Sequence, residues 1–157
     1  MARRGAVLIE LDREVQREAR MDLADIFTLQ GREGYRRLER AALERVVAKG
    51  RPAAIAAGGG VVAESVTFTL LLDACVTVWL RASPEEHMRR VLEQGGTRPM
   101  RDNRRATGEL RTILASREPL HARADQVVDT SGRTPEQSLR DLLAVLRPAV
   151  GAAVSPR

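Results

Sequence analysis

Four short apolar runs, at 6–10, 53–57, 76–80 and 126–129, are separated by longer stretches in which apolar residues recur at helical spacing. Short runs of this kind read as strands, and their alternation with amphipathic helices is the pattern of parallel strands joined by crossover helices. The sequence therefore predicts an α/β domain with a parallel sheet. Its 157 residues suffice for one core and, with it, one site. Residues 1–150 read as that domain, and the small and polar residues 151–157 as a disordered tail.

Helix signals fill the gaps between the runs. Asp22 is placed to cap a short helix through Phe27, and Tyr35, Leu38, Ala42, Leu43, Val46 and Val47 form the sheet-facing stripe of a longer helix that Gly50 ends. Ser83-Pro84-Glu85-Glu86 is a capping box with proline at the first helical position, and Met88, Val91 and Leu92 continue that helix to Gly95-Gly96. Thr134-Pro135-Glu136-Gln137 repeats the signal ahead of Leu139, Leu142, Leu143 and Leu146, and Pro148 is expected to close the helix. Between Gly95 and Arg105, two glycines, four arginines and almost no apolar content predict an exposed loop, either a lid or a plain connection.

No apolar stretch approaches the roughly 20 residues needed to span a bilayer, and too few apolar residues precede Glu10 for a secretory signal. No membrane partner is expected, and the cytoplasm is the expected location. Cys75, the only cysteine, excludes an intrachain disulfide and reads as a small buried hydrophobe. Basic residues total 26, all arginine except Lys49, and the net charge of +5 favours an anionic partner. Direct nucleic-acid binding is not expected. One Trp, one Tyr and two Phe offer little for base stacking, and Arg36, Glu39, Arg40 and Glu44 alternate as on a solvated, salt-bridged helix face.

In open α/β sheets ligands bind at the carboxyl ends of the strands, so the residues just after each run carry most weight. Glu10 and Asp12 point the same way from an extended chain. They suit a hydrated divalent ion or a ligand hydroxyl whose proton a carboxylate takes, although Asp12 equally suits a helix cap. Gly58, Gly59 and Gly60 let backbone N–H groups approach an anion or hydroxyl, or simply form a flexible turn. Arg117 shares a helix face with Leu110, Ile113 and Leu114, which places it for an anion or leaves it snorkelling at the domain edge. Arg36 lies beside the stripe begun by Tyr35, with Glu39 as a helical partner. His87 and His121 are too far apart in sequence, with no further ligand nearby, to read as a metal site.

Taken in order, these elements resemble the shikimate kinase family from about Ile9 to Leu146. Glu10-Leu11-Asp12 is similar to its acidic strand end, and Gly31-Arg-Glu-Gly-Tyr-Arg-Arg-Leu-Glu39 to the helix that brings an arginine to the substrate carboxylate. Gly58 to Gly60 match its substrate-binding glycines. Thr97-Arg98-Pro99-Met100 resembles the lid motif whose arginine reaches ATP, and Arg117-Glu118-Pro119-Leu120 the second carboxylate-binding arginine. The resemblance implies a P-loop-kinase-like, three-layer domain. It also implies that Asp12 orients and deprotonates a substrate hydroxyl, that Arg36 and Arg117 hold its carboxylate, and that Arg98 closes over the nucleotide.

Two departures accompany the resemblance. The family's first strand and its Gly-x-x-x-x-Gly-Lys-Ser/Thr loop are not found in the eight residues before Ile9, so the chain is expected to be a fragment or to carry a misplaced start. As given it is expected to use no cofactor, with ATP and Mg2+ returning if that segment is restored. Lys49 follows a helix and precedes a strand, at the wrong end for the missing lysine. The wording from Thr77 to Met88, with Arg98-Pro-Met and Arg117-Glu-Pro-Leu, further resembles the ligand domain of benzoyl-CoA-responsive bacterial regulators. His121 stands where tyrosine is more usual. The leading expectation is a domain that senses an acidic small molecule or benzoyl-CoA without phosphoryl transfer. The alternative is a truncated shikimate kinase acting on shikimate.

Overall fold

The computed structural model describes residues 7–93 and 103–153. In chain order the elements are β1 (Val7–Glu10), α1 (Leu11–Ala19), α2 (Leu23–Ala48), β2 (Ala53–Ala56), a 3-10 turn (Val61–Ala63), α3 (Ser65–Ala74), β3 (Val78–Arg81), α4 (Pro84–Glu93), α5 (Asn103–His121), β4 (Gln126–Asp129) and α6 (Pro135–Ala153). All four strands lie where the apolar runs place them. They form two parallel pairs, β1 with β2 from Val7 opposite Ala53 to Glu10 opposite Ala56, and β3 with β4 from Val78 opposite Gln126 to Arg81 opposite Asp129. The chain divides into two compact units, one ending at Ala74 and one beginning at Cys75.

In the first unit α1 packs on α2. Leu11 and Val15, one helical turn apart, are buried, as are Ile26, Ala42, Leu43 and Val46 of α2. Each large aliphatic side chain so covered contributes about 1.5 to 3 kcal/mol. Asp22 caps α2, its carboxylate accepting from the Asp25 N–H at 2.8 Å. The two helices expected here follow one another within α2 and meet at a bend at Gly31, whose non-helical φ of 67° and ψ of −172° are open essentially to glycine alone. The bend has a consequence for packing. Eight residues of straight helix would separate Phe27 from Tyr35 by about 12 Å along the axis, yet their ring centroids lie 4.7 Å apart.

In the second unit Val128, Met88 and Ala106 are buried. Asp125 accepts from both the N–H and the hydroxyl of Thr77, at 2.7 and 2.8 Å, and so ties the entries of β3 and β4 together. The capping box of α6 closes in both directions, Gln137 N–H to the Thr134 hydroxyl at 3.2 Å and Thr134 N–H to the Gln137 side chain at 2.9 Å. That of α4 closes in one direction only. Ser83 accepts from the Glu86 N–H, but its own N–H donates to Ser131 and the Glu86 carboxylate turns to Arg89. Pro148 does not end α6, which continues to Ala153 and so takes in residues 151–153. An interior proline lacks the N–H for one backbone bond and crowds the carbonyl four residues before it, yet the helix carries past Pro148.

Parallel strands are ordinarily covered on both faces. Here Leu8 of β1 remains 69% exposed and Leu80 of β3 53%. Among the described residues no helix is long and apolar enough to cross a membrane.

Candidate functional site

The carboxyl ends of β1 and β2 open on a groove of about 350 Å3 lined by Glu10, Asp12, Arg13, Gln16, Ala56, Ala57 and Gly58. Helix α1 begins immediately at Leu11, so Glu10 and Asp12 are not two positions of one extended chain, as the sequence suggested, but a strand end and the first turn of a helix. The turn separates their partners. Glu10 pairs with Arg13 at 2.5 Å, the acceptor that the sequence left open for a metal ion. Asp12 does not cap the helix. Its Oδ1 accepts from the hydroxyl of Tyr35 at 2.5 Å.

Tyr35 and Arg36 leave α2 one after the other and meet the same carboxylate. Arg36 Nη1 donates to Glu39 Oε2 at 2.6 Å, while the Tyr35 oxygen lies 3.2 Å from Glu39 Oε1. Glu39 is 0% exposed and Arg36 largely buried, so this arginine and glutamate are not part of a solvated face, although Arg40 and Glu44 are. A buried carboxylate is tolerated only with such partners. Burial first, then the hydrogen bond to Asp12 and the charge of Glu39, push the Tyr35 phenol above its usual range, and it stays a donor.

The glycine turn follows β2. None of Gly58, Gly59 and Gly60 takes a positive φ, so conformational freedom is not what the turn uses. Space is. A Cβ on Gly60 would overlap the Arg36 guanidinium, whereas one on Gly58 or Gly59 would meet nothing within 4 Å. Asp12, Arg36 and the glycine turn are thus brought together in the first unit. Arg117 lies on α5, in the second. On its helix face Ile113 is 44% exposed, while Leu110, Leu114 and Arg117 itself are half-buried, so the stripe is only partly covered. Arg98 lies outside the described residues, as does most of the loop from Gly95.

Sequence reasoning missed the Tyr35 hydroxyl, reading that residue only as part of an apolar stripe. The available signal was a polar tip on a buried aromatic, which ordinarily finds a partner. It also missed the stack of His121 on Trp79, with centroids 5.2 Å apart and planes 11° apart, beside a second groove of about 350 Å3. Burial, then the charges of Arg117 and His87, lower the His121 pKa, and burial lowers that of His87. An unfolded histidine titrates near pH 6.5. Below that the unfolded chain takes up protons that the folded chain refuses, so this contribution to stability is complete above about pH 6.5 and is lost as pH falls. His121→Phe keeps an aromatic stack without the titration. Its melting temperature, followed by circular dichroism, is expected to fall less than that of the wild type between pH 7.5 and 5.5, and equal slopes would assign the acid sensitivity elsewhere.

Parallel strand pairs joined by helices, an acidic turn after one strand and a glycine turn packed against the Arg36 guanidinium define an α/β protein. Comparison with known proteins agrees with this class and narrows it. The family model described as Shikimate kinase matches residues 2–147. The shikimate kinase of Thermus thermophilus is 31% identical over 138 residues, covering 88% of this chain and 74% of that protein. That of Symbiobacterium thermophilum is 35% identical over 143 residues, covering 90% and 80%. Among solved structures, shikimate kinase from Bacteroides thetaiotaomicron superposes with a TM-score of 0.78 at 20% identity, over 92% of this chain and 84% of that one. Shikimate kinase from Acinetobacter baumannii in complex with shikimate gives 0.76 at 22% identity, over 96% and 82%. At such identities the structures establish the fold, and the sequence matches establish the family. The chain belongs to the shikimate kinase family. The expectation of a benzoyl-CoA-sensing regulatory domain is overturned, because the relatives matched along most of the chain are shikimate kinases.

Proposed function

We propose that the first unit binds shikimate at the carboxyl ends of β1 and β2, and that the chain serves the shikimate kinase reaction, phosphorylation of a shikimate hydroxyl. The observation that carries this reading is the chain of contacts Arg36–Glu39–Tyr35–Asp12 beside Gly60. It supplies a cation for the ligand's carboxylate and a carboxylate for its hydroxyl on one rigid frame. Tyr35 occupies only one oxygen of Asp12, and the other is left to accept from the substrate hydroxyl and to take its proton. Arg36 keeps further N–H groups once Glu39 is satisfied, and a guanidinium matches a carboxylate in two-pronged fashion. The unbranched glycine turn leaves backbone N–H groups open beside them. Arg117, as the second arginine for the carboxylate, and Arg98, over the nucleotide, rest on the sequence resemblance.

ATP and Mg2+ are the partners this reaction requires. The donor set for them is not met by the described residues. Residues 1–157 contain no Gly-x-x-x-x-Gly-Lys-Ser/Thr run, the only lysine caps the end of α2 ahead of β2, and no group of three or more His, Cys, Asp or Glu among the described residues is placed to hold a metal. Titration calorimetry with shikimate tests the reading. Saturable binding that is lost in Asp12→Ala is expected, and a folded chain by circular dichroism that takes up no shikimate at millimolar concentration would overturn it.

A further inference from the structure

We infer that Tyr35 is a positioning residue, holding the Asp12 carboxylate through its hydroxyl in the orientation that receives the substrate hydroxyl; the inference rests on the first unit being a shikimate site. One phenolic proton faces two carboxylates, and a hydroxyl donates only one hydrogen bond. Asp12, at 2.5 Å, takes it, while Glu39, at 3.2 Å, has the Arg36 guanidinium for its other oxygen. The partner of Asp12 is thus a neutral donor that orients the carboxylate without neutralising it.

The donor is itself fixed. Tyr35 is buried, its ring lies against Phe27 across the Gly31 bend, and the Arg36 guanidinium sits 5.2 Å from its centroid. Asp12 is reached across 23 residues, from α2 to the first turn of α1, so the bond joins the two elements that carry the proposed base and the proposed carboxylate clamp. A carboxylate at a helix start is otherwise free to turn about two side-chain torsions, and a misaimed acceptor loses much of its use. A phenylalanine would fill the same space and make the same ring contact. It would lack only the oxygen.

Tyr35→Phe therefore tests the idea with little disturbance to packing. Its shikimate affinity, by calorimetry, is expected to fall about 2- to 12-fold, the size of one hydrogen bond. Tyr35 is the only tyrosine of the chain, so a 13Cζ-tyrosine label gives one resonance in the nuclear magnetic resonance spectrum that reports this hydroxyl alone. That resonance is expected to move when shikimate saturates the wild type and to move again in Asp12→Ala, which a tyrosine that merely packs would not show. Unchanged affinity in Tyr35→Phe, or a resonance indifferent to both shikimate and Asp12→Ala, would overturn the assignment. Failure of the folded wild type to bind shikimate would instead overturn the reading on which it rests.

Discussion

Arg36→Ala is expected to weaken shikimate binding by about 30-fold or more and to lower the unfolding free energy by about 3 to 5 kcal/mol, the usual cost of leaving one member of a buried ion pair behind. Glu39 has no exposure to water, and its Oε2 depends on Arg36 Nη1 at 2.6 Å. Without the guanidinium its remaining neighbour is a hydroxyl whose proton serves Asp12. Domains of this size hold only about 5 to 15 kcal/mol in total, so the loss is large. On the ligand side, removing a buried cation from a carboxylate costs about 2 to 5 kcal/mol, or about 30- to 5,000-fold in affinity. Arg36→Lys separates the two effects. An ammonium offsets the charge of Glu39 but lacks the planar fork, so stability should recover further than affinity. Urea unfolding and calorimetry on both variants give the comparison. A wild-type unfolding midpoint for Arg36→Ala would show that the ion pair does not support the fold, and equal recovery in Arg36→Lys would show that the ligand does not read the fork.

What the sequence revealed and what it hid follow a physical line. Strands and capped helices are local, written in apolar runs and in residues such as Asp22, Ser83 and Thr134, and they were legible. The reciprocal cap at Thr134 and Gln137 forms as its spacing implies, whereas at Ser83 a residue 48 positions away, Ser131, takes the N–H instead. The same distinction divides the site. Arg36 and Glu39 are helical neighbours, and their pairing was visible from spacing, though not that it would be buried. The bond from Tyr35 to Asp12 spans a helix bend and a change of element, and no local pattern encodes it. The carboxylates at Glu10 and Asp12 were misread for a related reason. Alternation holds only while the strand lasts, and the strand ends at Glu10. The resemblance to regulators failed differently, because wording shared between related domains does not carry function with it.

Gly60→Ala is expected to act on shikimate binding almost entirely through Arg36. A methyl group there would overlap Nη2 and lie 3.2 Å from Cζ of that guanidinium. The end of an arginine ordinarily swings aside at little cost, but this one is held by Glu39 on one side and lies near the Tyr35 ring on the other. Forcing it off costs about 1 to 3 kcal/mol of stability, as overpacking of a filled site usually does. Since the displaced group is the proposed carboxylate clamp, shikimate affinity should fall by about tenfold or more. Gly59→Ala is the comparison for stability, since its added carbon meets nothing within 4 Å and its backbone is not in the left-handed region. It should unfold within about 0.5 kcal/mol of the wild type. The decisive measurement is a double-mutant cycle in urea unfolding. In an Arg36→Ala background there is no guanidinium to displace, so Gly60→Ala should then cost little, and the two effects should be strongly non-additive. Additive costs would mean that Gly60 is required for the turn itself and not for the arginine seated against it.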